Sequence, residues 1–328
     1  MTAFAPVLEG YFTERLAQRR ASPHTVASYR DTFCLLLRYA QVRLAKEPAV
    51  LDLADLDVAV IGGFLDHLEH DRANSVATRN TRLAAIHSLF RYAALRCPEH
   101  AGMIQRVLAV PQKRFDSTIV TFLERDEIDA LLTSPDRTTW LGRRDHVLLL
   151  VAVQTGLRVS ELTGLTGADV ELGTGANVHC IGKGRKERRT PLTAPTAVLV
   201  AKWISECGIA PRDPLFPSRT GGQLSRDAVA DLLTKHVTAA TGRCPSLASK
   251  RVSPHVLRHS CAMALVHAQV DILTIGLWLG HSGTKATYVY IHADMALKEQ
   301  ALARTAPSAV SPTRYKAPDS LIAFLEAL

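Results

Sequence analysis

Between Arg158 and Tyr290 the chain gathers residues suited to act on a phosphodiester. Arg158 and Lys183 come first. The stretch Val252–Asp294 (VSPHVLRHSCAMAL … GLWLGHSGTKATYVYIHAD) then holds His255, Arg258, His281, Tyr288 and Tyr290. Cleaving a phosphodiester without a metal requires cations on its non-bridging oxygens. Arginine suits that task because its planar fork matches phosphate and stays protonated. Arg158 and Arg258 are the pair for this role. The nucleophile must be a hydroxyl that forms a stable ester, which a tyrosine supplies. A neighbouring histidine can accept or share its proton, and a lysine can protonate the leaving 5′ oxygen. The sequence has no cluster of carboxylates suited to magnesium, so neither a metal nor another cofactor is expected.

Taken singly, each residue has a plainer role. His255 and Arg258, at i, i+3, would form a surface or capping pair. His281 follows Leu279-Gly280 and would satisfy the last carbonyls of a helix. Tyr288 and Tyr290 would be core aromatics with the hydroxyl at the surface. Two nearby motifs also fail. GKGRKERR around Lys183 is not a nucleotide-binding loop, because Asn177 and Gly184 stand where Gly and Ser or Thr are needed. His255 and His259 have the i, i+4 spacing of a zinc protease, but Val256 replaces the required glutamate. The ordered combination, rather than any one member, carries the phosphodiester reading.

The elements that must position this set are mostly helical. Residues 1 to about 110 read as helices. Ser22-Pro23 offers an N-cap and a first-turn proline, and Val26, Tyr29, Phe33, Leu36, Leu37 and Ala40 recur at helical spacing as far as Val42. Asp57 caps a short helix to Glu69. A third helix spans Ser75–Leu95, with Leu83, Ile86, Phe90 and Ala94 on one side and Arg79, Arg82 and Arg91 around the other. Those arginines are a solvated face or, in a basic DNA enzyme, phosphate contacts. Leu108–Ser117, with Pro111, Lys113 and Arg114, reads as a linker. Phe122–Glu127 then starts a helix with acids in its first turn. Arg144–Gln154 is an apolar helix stopping at Thr155-Gly156, and Leu157–Leu162 is again helical. Asn177–Leu192 reads as a strand, a tight Gly-Lys-Gly turn and a second strand. Its basic residues, Arg185, Lys186 and Arg188 among them, form a solvated turn or lie against a DNA backbone with a lysine at the tip. Helices are expected at 194–207, 225–241, 255–268 and 271–279, then one carrying the tyrosines, and 211–224 is a Pro/Gly-rich loop. Thr305–Pro318 should be extended. Asp319–Leu328 is amphipathic and too short to be stable undocked.

The motifs TGLRVSEL, IGKGRKERRTPL, SPHVLRHS, WLGHS and YVYIH, in this order, resemble the tyrosine recombinase (phage integrase) family, including Xer-like recombinases and integrases of mobile elements. The resemblance covers roughly the whole chain and is strongest from Thr155 to Asp294. It implies a mainly α fold with a small β-sheet: a helical, SAM-like core-binding domain followed by a mixed α/β catalytic domain. It further implies that Arg158 is the first catalytic arginine, Lys183 the general acid, and His255 and Arg258 the His-x-x-Arg pair. His281 takes the position held by His or Trp in relatives. Tyr290, nine residues after His281, becomes the nucleophile; Tyr288 is the competitor, as Lys186 is for Lys183. The implied mechanism is attack by Tyr290 to give a 3′-phosphotyrosyl bond and a free 5′ hydroxyl, with neither ATP nor metal. The implied partners are double-stranded DNA and other protomers, four of them on two DNA sites. Another recombinase or an accessory DNA-bending protein could join them. Asp319–Leu328 is a candidate for docking into a neighbour.

Composition sets the bounds. The 328 residues, 47% hydrophobic, suffice for one large or two ordinary domains. The expected division is 1–110 for DNA binding, 111–118 as linker, 119–304 for catalysis and 305–328 as tail. The net charge of +8 suits a nucleic-acid partner. Six scattered cysteines without a C-x-x-C pair fit a reducing cytoplasm. No signal peptide or membrane-spanning run is visible. Integration, excision or transposition of a mobile element is the leading role. Xer-like chromosome or plasmid resolution, a relaxing topoisomerase and a non-catalytic DNA-binding regulator are the alternatives.

Overall fold

The computed structural model describes residues 2–114, 120–182 and 187–281, together with 283, 287, 288 and 290. The chain forms two compact units, Met1–Thr118 and Ile119–Leu328.

The first unit is helical. Its elements are α1 (Phe4–Gly10, continuing through a wider turn over Tyr11–Leu16), α2 (Pro23–Leu44), α3 (Val58–His70), α4 (Val76–Ala93) and α5 (Ala101–Leu108). The expected caps are in place: Ser22 Oγ accepts from Thr25 N, Asp57 Oδ1 from Ala59 N and Val60 N, and Ser75 Oγ from Thr78 N. Phe33, Leu36 and Ala40 of α2 meet Ile61, Phe64 and Leu65 of α3 and Leu83, Ile86 and Phe90 of α4 in one core. α1 and α5, not foreseen as separate helices, close that core with Phe4, Tyr11, Ile104 and Val107.

Two of the α4 arginines do not form an outward face. Arg79 is buried, and its Nη1 donates to Pro111 O (3.0 Å) and Asn80 Oδ1 (3.1 Å). Asn80 in turn donates to Lys113 O (2.8 Å), so residues 111–113 are fastened to α4 rather than loose. Arg82 Nη1 bridges to Ser28 O and Thr32 Oγ1 of α2. Arg91 and Arg114 are exposed, and Lys113 pairs with Glu69.

The second unit contains α6 (Arg125–Thr133), α7 (Trp140–Thr155), α8 (Val159–Gly164), strands β1 (Val170–Glu171), β2 (Asn177–Ile181) and β3 (Glu187–Pro191), then α9 (Ala194–Cys207), α10 (Arg226–Ala240), α11 (Pro254–His267) and α12 (Ile272–Leu279). Leu148, Leu149 and Val151 of α7 share a core with Trp203 of α9, Leu233 of α10 and Leu257 of α11. α7 starts four residues earlier than its apolar pattern suggests. Thr139 caps it by accepting from Gly142 N (3.0 Å). Gly142 is required there: a Cβ would sit 1.8 Å from Asp136 O.

The sheet is antiparallel in the order β1-β2-β3, one short strand more than expected. Its register pairs Val178 with Thr190 and Cys180 with Arg188. Directly opposed residues share a face, and Val178, Cys180 and Thr190 are all buried. Register therefore turns Arg188 inward, away from the exposed position expected of a DNA contact.

Candidate active site

The site is built around helix ends. α7 closes on Gly156 (φ +61°) and α12 on Gly280 (φ +64°), both in the left-handed conformation that favours glycine. Such endings leave carbonyls free at the negative pole of each helix. Arg258, on α11, spans them: Nη1 donates to Gly156 O (2.6 Å) and Nη2 to Leu279 O (2.5 Å). Arg158 Nη2 donates to Gly280 O (3.2 Å). Neutral acceptors orient Arg258 without cancelling its charge. Burial, reinforced by the nearby Arg158 and Arg188 guanidiniums, pushes Arg258 down to about 10. A bound anion would offset both the burial and the repulsion among the three guanidiniums.

Glu161 is the counterweight. It sits one turn beyond Arg158 on α8, almost fully buried, and binds Arg158 Nη1 (2.9 Å) and the Arg158 backbone N–H (2.8 Å). Arg188 reaches it from β3 with Nη1 at 3.1 Å and Nη2 at 2.7 Å. Burial alone would raise this carboxyl, but the two guanidiniums outweigh it and hold Glu161 below the usual carboxylate range. One carboxylate thus fixes two arginines, while among the described contacts Arg258 donates to backbone carbonyls.

Tyr290 is buried and Tyr288 is exposed. The Tyr290 ring joins Cys261, Met263, Ile275 and Leu279 in a small apolar cluster between α11 and α12. Its hydroxyl lies 3.0 Å from His259 Nδ1, and its ring stacks on His281 at 6.3 Å between centroids. Burial pushes the phenol up, with Arg258 pulling the other way. His281 bonds Thr287 Oγ1 through Nδ1 (2.8 Å). Burial first, and then the surrounding cations, push His281 and His259 down to about 4, so both imidazoles are neutral at pH 7. His255 is exposed, with its ring 6.4 Å from that of His259.

Four of the expected residues, Arg158, Arg258, His281 and Tyr290, therefore converge, and His255 stands at the outer side of His259. Lys183, Arg185 and Lys186 lie outside the described residues, as does Asp319–Leu328. Reading by residue type missed Glu161, His259 and Thr287. The i, i+3 spacing of Arg158 and Glu161 was a usable signal. His259 was weighed only as a zinc ligand, and its position next to Arg258 was the overlooked cue.

A model of the phage integrase family matches residues 121–296, and a model of the phage integrase N-terminal SAM-like domain matches residues 8–96. The chain belongs to the phage integrase family, the tyrosine-type site-specific DNA recombinases. Among relatives of this recombinase is y4rC of Sinorhizobium fredii (strain NBRC 101917 / NGR234), named as a candidate integrase/recombinase. It is 51% identical over 327 residues, spanning 99% of this chain and 98% of that protein. The tyrosine recombinase XerC of Myxococcus xanthus is 31% identical, covering 88% of this chain and 94% of its own. In fold, the recombinase resembles the Tn1549 transposon integrase in complex with transposon right-end DNA, with a TM-score of 0.68 at 16% identity. That match covers 94% of this chain and all of the other. The XerH site-specific recombinase in a post-cleavage complex with a palindromic difH substrate matches with a TM-score of 0.67 at 22% identity, over 87% of this chain and 81% of that one. Among the described residues, no helix is long and apolar enough to cross a membrane.

Proposed function

We propose that this recombinase cuts and rejoins DNA through Tyr290, in the service of integrating, excising or transposing a mobile element. Arg158 and Arg258 clamp the scissile phosphate and offset the charge that grows on its non-bridging oxygens. Tyr290 Oη attacks phosphorus and forms a 3′-phosphotyrosyl ester. Lys183 gives a proton to the departing 5′ oxygen, and His255 and His281 flank the reacting centre. The ester keeps the energy of the broken bond, so the freed 5′ hydroxyl of a partner duplex reverses the step without ATP. Assembly as a tetramer on two DNA sites follows from that exchange, with Asp319–Leu328 docking between protomers. Arg91 and Arg114, both exposed, and Arg185 and Lys186 are the candidates for backbone contacts.

One observation carries this reading: a buried tyrosine hydroxyl beside a cluster of guanidiniums whose charge is only partly offset. The test uses DNA fragments selected by binding and then nicked, incubated with the protein in EDTA and resolved under denaturing conditions. Wild type and Tyr288→Phe should yield a protein–DNA adduct, and Tyr290→Phe none. Loss with Tyr288→Phe instead would move the nucleophile. Tight binding with no adduct from any variant would favour a non-catalytic regulator.

A further inference from the structure

We propose that His259 is a catalytic residue that accepts the Tyr290 proton during strand cleavage. The inference rests on the assignment of Tyr290 as nucleophile. His255 belongs to the expected site, yet among the described contacts it is His259 whose ring nitrogen meets the phenol. His259 Nδ1 and Tyr290 Oη are 3.0 Å apart, within reach for direct proton transfer. The hydroxyl is the donor when His259 carries its own hydrogen on Nε2.

Four features favour this arrangement. His259 follows Arg258 on α11, so the helix that orients the phosphate-binding guanidinium also orients the acceptor. The ring is half-buried between His255 on one side and Tyr290 on the other. His281, stacked on the opposite side of Tyr290, is committed through Nδ1 to Thr287, which limits its part in taking the proton. The groups facing the pair are His255, Arg258 and Cys261 from α11, Arg158 from the start of α8 and His281 after α12. The arginines are cations and Cys261 is a thiol held protonated by burial, so the resting environment opposes a charged imidazole. A phosphodiester anion entering beside Arg258 reverses that bias and lets His259 take a proton when Tyr290 gives it up.

The step balances. The Oη–H bond breaks as the Nδ1–H bond forms, and Oη bonds phosphorus as the P–O5′ bond breaks. Its electron pair goes to the 5′ oxygen, which takes a proton from the lysine. Tyrosine, neutral histidine, the phosphodiester anion and protonated lysine become the phosphotyrosyl diester anion, imidazolium, neutral lysine and a 5′ hydroxyl. Rejoining is the reverse, with imidazolium returning the proton.

The test has two arms. Without DNA, 15N spectra of the full-length protein should show the His259 Nδ1 resonance moving on Tyr290→Phe. A resonance that does not move overturns the contact and the proposal with it. With the nicked fragments, His259→Leu should slow adduct formation by about 100-fold, the lower range for loss of an acid–base group, while binding stays close to wild type and unfolding remains cooperative. The rate should then climb with pH into the alkaline range, as hydroxide replaces the lost acceptor. His259→Asn places an acceptor oxygen near Nδ1 that cannot carry the proton, so it should restore the spectrum of a hydrogen-bonded phenol but not the wild-type pH profile. A His259→Leu rate and pH profile like wild type overturns the proposal. Adducts formed by Tyr290→Phe would instead remove the nucleophile assignment, a separate failure.

Discussion

Glu161 bears more of the site than its absence from the chemistry suggests. Burial, reinforced by two neighbouring guanidiniums, depresses Arg258, and a single carboxylate holds those two. Breaking a buried ion pair leaves a charge uncompensated, at a cost of about 3–5 kcal/mol. Arg158 is partly exposed, with 27% of its side-chain surface accessible, which softens the penalty on that side. Glu161→Gln should therefore lower the unfolding free energy by about 3 kcal/mol, the lower end of that range. Inorganic phosphate should narrow the difference, because an anion replaces the missing charge. Denaturant titrations with and without phosphate check both points; an equal loss in both solutions would show that the arginines are not short of negative charge. At this scale, the residues that act on a phosphate were legible because their types are dictated by the chemistry. The residues that hold them were not. A buried glutamate and an inward arginine look like any surface ion pair until register and burial are known, and Arg188 was expected on the surface for that reason.

At the scale of elements, two helix endings do the positioning. Gly280 has a left-handed backbone, and a Cβ there would lie 2.7 Å from Arg188 Nη1. Gly208, at the end of α9, has nearly the same backbone (φ +61°) with nothing within 4 Å of its Cβ position. The two glycines therefore separate conformation from space. Gly208→Ala should cost about 1–2 kcal/mol, the penalty for an L-residue in that region. Gly280→Ala should cost at least as much and also displace Arg188 from Glu161, reducing adduct formation more than tenfold. Thermal unfolding and the trapping assay on both variants provide the comparison; equal activity in the two would refute the steric role. Capped helices such as α2, α3 and α4 were readable because their boundaries are local: a hydroxyl or carboxylate and a run of apolar residues at helical spacing. The start of α7 was not, since Gly142 answers to a distant backbone atom. α1 and α5 were missed as separate helices, and β1 is too short to show a pattern. Arg79 looks like a solvent-facing cation in sequence, and only the path of residues 111–113 past α4 makes it an interior anchor.

For the whole molecule, the buried histidines predict how stability responds to acid. His259 and His281 are held neutral, with folded values of about 4 against an ordinary value near 6.5. His146 is lowered in the same unit by burial. The unfolded chain takes up protons at these positions before the folded chain does, so their contribution is fully present above about pH 6.5 and is lost as pH falls toward 4. Lowered carboxylates such as Glu161 act in a separate, more acidic window, below the ordinary glutamate value. The three tryptophans, Trp140, Trp203 and Trp278, all lie in the second unit, so tryptophan fluorescence follows that unit alone. Its denaturation midpoint should fall between pH 7 and pH 5, before most carboxylates titrate. A double His259→Asn, His281→Asn variant should start less stable but lose less over the same interval, because asparagine takes up no proton in either state. A midpoint that holds steady in wild type would mean the two imidazoles are not shielded. The cation cluster would then already admit protons, and the site would lack the charge asymmetry on which anion binding beside Tyr290 depends.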